Sequence, residues 1–111
     1  MPEERYSDWA TAYRDRLLDA YTAVLGALVD AHDEAGEHGR AATVARELVD
    51  LDHLNEVGHR ALITAYARAG RRGYALRQYL ECRRALVEGL GVEPAEATSR
   101  LQSRILAGEP V

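Results

Sequence analysis

Proline is absent from residues 3 to 93, and this stretch restricts the fold more than any other feature of the sequence. Pro2 lies just before it and Pro94 just after it. Proline in a helix interior removes a backbone hydrogen bond and clashes with the preceding turn, so a long stretch without it is compatible with helix throughout. The stretch is also rich in alanine, leucine, arginine and glutamate, which are strong helix formers. An all-β sandwich would need a turn signal roughly every 8–12 residues, and the sequence lacks them. The sequence therefore predicts an all-α fold.

Apolar residues spaced by three and four positions predict about five helices, and their short connections predict antiparallel packing of neighbours. Ser7 is the expected N-cap of the first helix, and Pro94 is expected in the first turn of the fifth. The first four helices are expected at about Asp8–Ala35, Arg40–Leu51, Glu56–Ala69 and Arg72–Glu88. The residues expected to form the core-facing stripe of the first helix are Trp9, Tyr13, Leu17, Tyr21, Val24, Leu28 and Ala35.

The chain repeats itself with a period of 34 residues, which is the period of the tetratricopeptide repeat. Residues 20–53 align with residues 54–87 at eight identical positions, among them the turn glycines Gly36 and Gly70 and the small residues Ala31 and Ala65. Each unit is a helix–turn–helix that needs a stacked neighbour to bury its apolar face. We therefore predict one domain over residues 1–111, a tetratricopeptide-like superhelix of antiparallel helix pairs with a concave face.

Composition argues against several classes of function. The net charge of −4 argues against direct contact with nucleic acid, because binding phosphates requires a basic surface. Cys82 is the only cysteine, which excludes an internal disulfide and favours the cytoplasm. No apolar stretch reaches the length of a membrane helix. The four histidines lack metal-ligand spacing and no catalytic constellation is evident, so we predict a non-enzymatic protein without metal or cofactor.

Arginines cluster around the start of the fourth helix, and two interpretations remain open. Arginine pairs with glutamate four residues later, which is typical of a solvated helix face. Arg71 and Arg72, however, precede a helix whose dipole disfavours cations there, and this placement favours contact with a partner. The candidate partner-binding residues are Tyr66, Arg71, Arg72, Arg77 and Arg84.

The segment from Ala69 through Tyr79 and Cys82 to the Gly-Leu-Gly-Val-Glu-Pro ending at Pro94 resembles the bacterial transcriptional activator domain. Asp8-Trp9 and the ending Arg-Ile-Leu-Ala-Gly at residues 104–108 fit the same pattern. The resemblance covers about residues 6–108. It implies a tetratricopeptide-like module that follows a winged helix-turn-helix domain in antibiotic regulatory proteins, so that this chain is expected to be a separated activator domain.

The resemblance also implies a function in protein–protein interaction that supports transcription activation or dimerisation. The expected partners are RNA polymerase, another regulator domain or a second copy of the chain. No segment has the pattern of a DNA-reading helix-turn-helix. The alternative is a general tetratricopeptide-type adaptor that binds a peptide or a signalling protein without a link to transcription.

Overall fold

The computed structural model describes residues 2–111, with side chains from Ser7 onward, and this part of the chain contains five α-helices and no strand. The all-α prediction and the number of helices are confirmed. Successive helices run antiparallel and pack side by side. The helices are α1 (Pro2–Glu34), α2 (His38–Leu51), α3 (Glu56–Arg68), α4 (Arg72–Leu90) and α5 (Glu96–Leu106).

Two predicted helix-start signals were wrong, and α2 begins at His38, two residues before the predicted Arg40. Ser7 lies inside α1, which begins at Pro2, because proline at the first helical position and glutamates in the first turn are both favourable there. Pro94 precedes α5 instead of opening it, and the N-cap is Ala95. The carboxylate of Glu56 on α3 accepts a hydrogen bond from the Ala95 amide at 2.8 Å, so a neighbouring helix caps α5.

The two repeat units turn in the same way after their first helices. Gly36 and Gly70 have φ of 75° and 78°, in the left-handed region that favours glycine. The Glu37 amide donates to the His32 carbonyl, and the Arg71 amide donates to the Tyr66 carbonyl, each at 2.8 Å. These six-to-one hydrogen bonds define the same helix-ending motif in both units, which supports the 34-residue repeat.

The core lies in two neighbouring clusters along the stack. One joins α1, α2 and α3 and includes Leu25, Ala45 and Leu62. The other joins α3, α4 and α5 around Ile63 and Ile105. Only α3 contributes to both clusters, so it holds the two helix pairs together. The resulting stack measures 59 × 34 × 17 Å.

The predicted core-facing stripe of α1 is exposed to solvent. Leu17 retains 53% of its surface and Val24 retains 56%, whereas Leu25 and Val29 are the α1 residues that enter the core. The stripe is apolar but lies on a side of α1 that α2 and α3 do not cover, and the described chain has no other helix to cover it. Although α1 has 33 residues, neither it nor another described helix is apolar enough to cross a membrane.

Candidate partner-binding surfaces

Three of the predicted site residues, Tyr66, Arg71 and Arg77, meet around Tyr74. The Tyr66 and Tyr74 rings lie 5.5 Å apart between centroids. The guanidinium carbon of Arg77 lies 4.6 Å from the Tyr74 centroid, and that of Arg71 lies 5.7 Å from it. These distances are those of cation–π contacts, in which the negative face of the ring attracts the cation. We call Tyr66, Arg71, Tyr74 and Arg77 the aromatic–arginine cluster.

A cavity of about 320 Å³ adjoins this cluster. Tyr66 and Arg71 form one side of it, and Ala42, Thr43 and Arg46 of α2 form the other. Aromatic and arginine side chains beside a recess are among the residues that most often anchor protein interfaces. The cluster and the cavity together provide charge, a flat aromatic surface and a recess for an inserted side chain.

Arg72 has a different position from the other predicted residues. Its Nε donates to the Ile105 carbonyl at 3.0 Å, and its Nη2 donates to the Leu106 carbonyl at 2.9 Å. These carbonyls belong to the last turn of α5, where a cation is favourable because of the helix dipole. Through these hydrogen bonds, Arg72 connects the start of α4 to the end of α5.

Arg84 is also apart from the cluster. It lines a separate cavity of about 410 Å³ together with His53, Glu81 and Glu88. Among the described side chains, Arg77 and Glu81 form no ion pair, because Arg77 lies on Tyr74 and Glu81 contacts Arg46 at 3.3 Å. The structure therefore brings three of the five predicted residues together.

A buried polar network behind the cluster contains residues that sequence reasoning missed. His59 is fully buried, and its Nε2 lies 2.7 Å from the His53 carbonyl. A carbonyl only accepts, so Nε2 carries the hydrogen, and Nδ1 accepts from the Gln78 amide at 2.9 Å. Gln78 accepts in turn from Arg46 at 2.7 Å and donates to Glu81 at 2.8 Å. Comparing the repeat units would have singled out His59 and Gln78 as polar residues at positions that hold Leu25 and Val44 in the first unit.

Hydrogen bonding controls the charges in this network. Partial burial raises the pKa of Glu81, but hydrogen bonds from Gln78 and Arg46 outweigh it, so this pKa lies below its ordinary value. Burial likewise lowers the pKa of Arg46, and its bonds with Tyr66 and Glu81 raise it by more. Both groups are therefore charged at neutral pH, and Arg46 links the network to Tyr66 of the cluster at 3.5 Å.

Cys82 is fully buried on the inner side of α4, as the sequence predicts. Burial raises the pKa of its thiol from 9.0 to about 11, and the nearby carboxylate of Glu56 adds to this rise. A thiol with so little thiolate at neutral pH is a poor nucleophile. Among the side chains described, no three His, Cys, Asp or Glu residues are grouped in a way that would hold a metal ion.

The exposed stripe of α1 forms a second surface, well separated from the cluster. The Trp9 and Tyr13 rings are stacked, with centroids 5.6 Å apart and planes 3° from parallel. Residues 11–20 are exposed without exception. Tyr21 donates a long hydrogen bond of 3.4 Å to Glu47 of α2, and the part of α1 on the N-terminal side of Tyr21 extends away from the core. We call Trp9, Tyr13, Leu17, Tyr21, Val24 and Leu28 the α1 stripe.

Comparison with known proteins identifies the family. The family described as "Bacterial transcriptional activator domain" matches residues 2–106. The chain is 32% identical over 102 residues to regulatory protein AfsR of Streptomyces coelicolor, which covers 92% of this chain and 10% of AfsR. It is also 32% identical over 102 residues to the transcriptional regulator RedD of the same organism, covering 28% of RedD.

A solved structure shows the same fold. The structure of Mycobacterium tuberculosis EmbR in complex with a low affinity phosphopeptide matches 92% of this chain and 26% of the EmbR chain, with a TM-score of 0.76 and 27% identity. The chain thus spans a tenth to about a quarter of the length of these relatives. The chain belongs to the bacterial transcriptional activator domain family and is a regulator domain of the AfsR, RedD and EmbR type. This family is one of transcriptional regulators and not of enzymes, which confirms the prediction of a non-enzymatic domain.

Proposed function

We propose that this bacterial transcriptional activator domain supports transcription activation by binding a protein partner through the aromatic–arginine cluster. The partner is RNA polymerase or a domain of another regulator. One observation carries the proposal: Arg71 and Arg77 both lie on the Tyr74 ring, and Arg71 and Tyr66 line the adjoining cavity. Side chains held in place before binding lose little conformational freedom when a partner arrives. The phosphopeptide bound to EmbR supports it, since a regulator that shares this fold binds a polypeptide.

The DNA-reading function belongs, in this proposal, to a winged helix-turn-helix domain that precedes the chain in its native gene. A net charge of −4 is unsuited to binding DNA phosphates, and the relatives that share this domain are several times longer. The activator domain then acts in the cytoplasm, where the transcription machinery is. Sequencing the native gene upstream of residue 1 tests this part, and an upstream region without a DNA-binding domain would refute it.

A pull-down with purified RNA polymerase subunits tests the partner surface. The variant Arg71→Ala/Arg77→Ala removes both cations from Tyr74, and we expect retention of the partner to fall at least about tenfold, as is usual when interface anchors are lost. Tyr66→Ala in the same assay should have a similar effect.

The matched control is Arg14→Ala/Arg16→Ala, which removes the same charge from the exposed part of α1. It should bind as the wild type does. Equal binding by the cluster variant and the control would show that the cluster is not the contact surface. Circular dichroism verifies that each variant is folded.

We propose further that two copies of the chain pair through the α1 stripe. Its side chains are each between 43% and 59% exposed and follow one side of the helix over about 29 Å, at 1.5 Å per residue. Monomeric proteins seldom leave so long an apolar patch uncovered. A second α1 offers the same surface, and two such surfaces bury each other in a symmetric helix pair.

Light scattering during size exclusion tests the pairing. Leu17→Glu places a charge at the centre of the stripe and should convert a dimer to a monomer. Leu80→Glu, which alters a similarly exposed leucine on α4, is the control and should leave the mass unchanged. A wild-type monomer at every concentration examined would refute the proposal.

A further inference from the structure

The odd-numbered helices form a groove on a different part of the molecule from the aromatic–arginine cluster. α1, α3 and α5 run in the same direction, and the groove between them has a volume of about 580 Å³. Arg60 and Arg68 line it from α3, and Arg100 and Arg104 line it from α5. The groove also contains two aspartates, so it carries an excess of positive charge in a chain whose net charge is −4.

Two of these arginines are accessible to a ligand. The side chains of Arg100 and Arg104 are 73% and 53% exposed. Their carboxylate neighbours, Glu96 and Glu109, are themselves 77% and 60% exposed. Ion pairs between groups this exposed are weak, and each guanidinium has donors to spare. A ligand carboxylate can therefore bind these arginines without breaking a buried contact.

The other two arginines give the groove a fixed shape. Arg60 donates to Thr98 at 3.0 Å and lies 3.4 Å from Glu56, so it holds α5 on α3. Arg68 donates to the main-chain oxygen of Val111 at 3.0 Å and lies 3.6 Å from the Asp33 carboxylate of α1. The positive wall is thus part of the packing between α3 and α5, and it is formed before any ligand binds.

The floor and the opposite wall indicate which anion fits. Val57, Ala61 and Leu101 provide an apolar floor, suited to the side chains of a peptide. Asp30 and Asp33 lie on the α1 wall, so anionic groups of a ligand are favoured only on the α5 side; a peptide can place its acidic side chains there, whereas a nucleic acid carries a charge at every phosphate. An extended segment that crosses three helices covers about 18 Å, or about five to six residues.

We propose that this groove binds an acidic segment of a partner polypeptide, with aspartate or glutamate side chains on Arg100 and Arg104 and apolar side chains on the floor. This site goes beyond the proposed contact at the aromatic–arginine cluster and shares no residue with it, so either proposal can fail without the other.

Fluorescence anisotropy tests the groove with a labelled octapeptide, Glu-Leu-Glu-Glu-Leu-Asp-Glu-Leu. Its control replaces every acid by the corresponding amide. We expect the acidic peptide to bind, the amide peptide not to bind, and Arg100→Gln/Arg104→Gln to weaken binding at least about tenfold. Arg40→Gln/Arg83→Gln removes the same charge from exposed residues outside the groove and should change binding by less than about twofold.

The reversed-charge variant Arg100→Glu/Arg104→Glu gives a second readout, because it should bind the lysine version of the peptide and reject the acidic one. Circular dichroism establishes that the variants are folded. No binding by the acidic peptide, equal binding by the amide peptide, or equal loss in the control variant would overturn the proposal. A short DNA duplex that displaces the peptide through Arg100 and Arg104 would also overturn it and would assign the groove to nucleic acid.

Discussion

The two repeat units have matching sequences but different surroundings. Leu28 and Leu62 occupy equivalent positions, yet Leu28 is 43% exposed and Leu62 is fully buried. The reason is that α1 and α2 cover the corresponding side of α3, while the described chain has no helix pair to cover α1. The repeat pattern therefore specifies an apolar face in each unit, and the neighbouring unit decides whether that face becomes core or remains exposed.

A second difference lies inside the units. At the positions where the first unit has Leu25 and Val44, the second unit has His59 and Gln78. The apolar pair joins the core of the first unit, whereas the polar pair forms a hydrogen-bonded chain that reaches Arg46. The second unit thus has a polar connection between its core and the aromatic–arginine cluster, and the first unit has none at the equivalent positions.

The largest expected effect comes from truncating the equivalent leucines. Leu62→Ala leaves a cavity in the core and should lower the free energy of unfolding by about 2–5 kcal/mol. Leu28→Ala removes a half-exposed side chain and should cost less than about 1 kcal/mol. Urea denaturation measures both. Equal losses would mean that Leu28 is buried in solution, as pairing through the α1 stripe would cause, and dilution would then separate the two values.

An intermediate effect is expected from the polar chain. Gln78→Leu leaves Nδ1 of the buried His59 without its donor and should destabilise the fold by about 1–3 kcal/mol. His59→Leu/Gln78→Leu makes the second unit resemble the first and should restore about half of that loss or more, because both buried partners become apolar. Thermal denaturation of the single and double variants measures both changes in stability. A double variant less stable than Gln78→Leu would show that the unit needs the histidine for another reason.

The smallest effect on stability at neutral pH is expected from Cys82. The equivalent position in the first repeat unit holds the buried Leu48. The pKa of the folded thiol is about 11 against 9.0 for an ordinary one, so the unfolded chain loses this proton first as the pH rises. The stability that depends on this thiol is complete below pH 9.0 and is lost between 9.0 and about 11. Cys82→Leu should remove that part of the pH dependence, as measured by urea denaturation across this range. If the free energy of unfolding changed equally with pH in the wild type and in Cys82→Leu, the expectation would be contradicted.

The sequence alone predicted the helices well where local signals are strong. The glycine turns, the proline-free stretch and the 34-residue period together gave the fold, and Cys82 was placed correctly in the core. The α1 stripe was misplaced because periodicity identifies an apolar face but not what covers it. Ser7 failed as an N-cap because helix-favouring residues continue in front of it.

The candidate site was predicted only in part. Arg71 was selected for its placement before α4 and Arg77 as a member of the arginine-rich segment, and both lie on Tyr74. The position of Arg72 depends on where α5 ends, which no local pattern reveals. Arg46 and the groove arginines belong to different helices, so their meeting follows from tertiary packing alone.

The stack is only 17 Å thick. A plate of this thickness has little interior, and most of its residues belong to one broad face or the other. The aromatic–arginine cluster, formed by α3 and the start of α4, shares no residue with the groove along α1, α3 and α5, so our two proposals allow two partners to bind at once. A domain of 111 residues is then large enough to serve as a bridge as well as a single docking site.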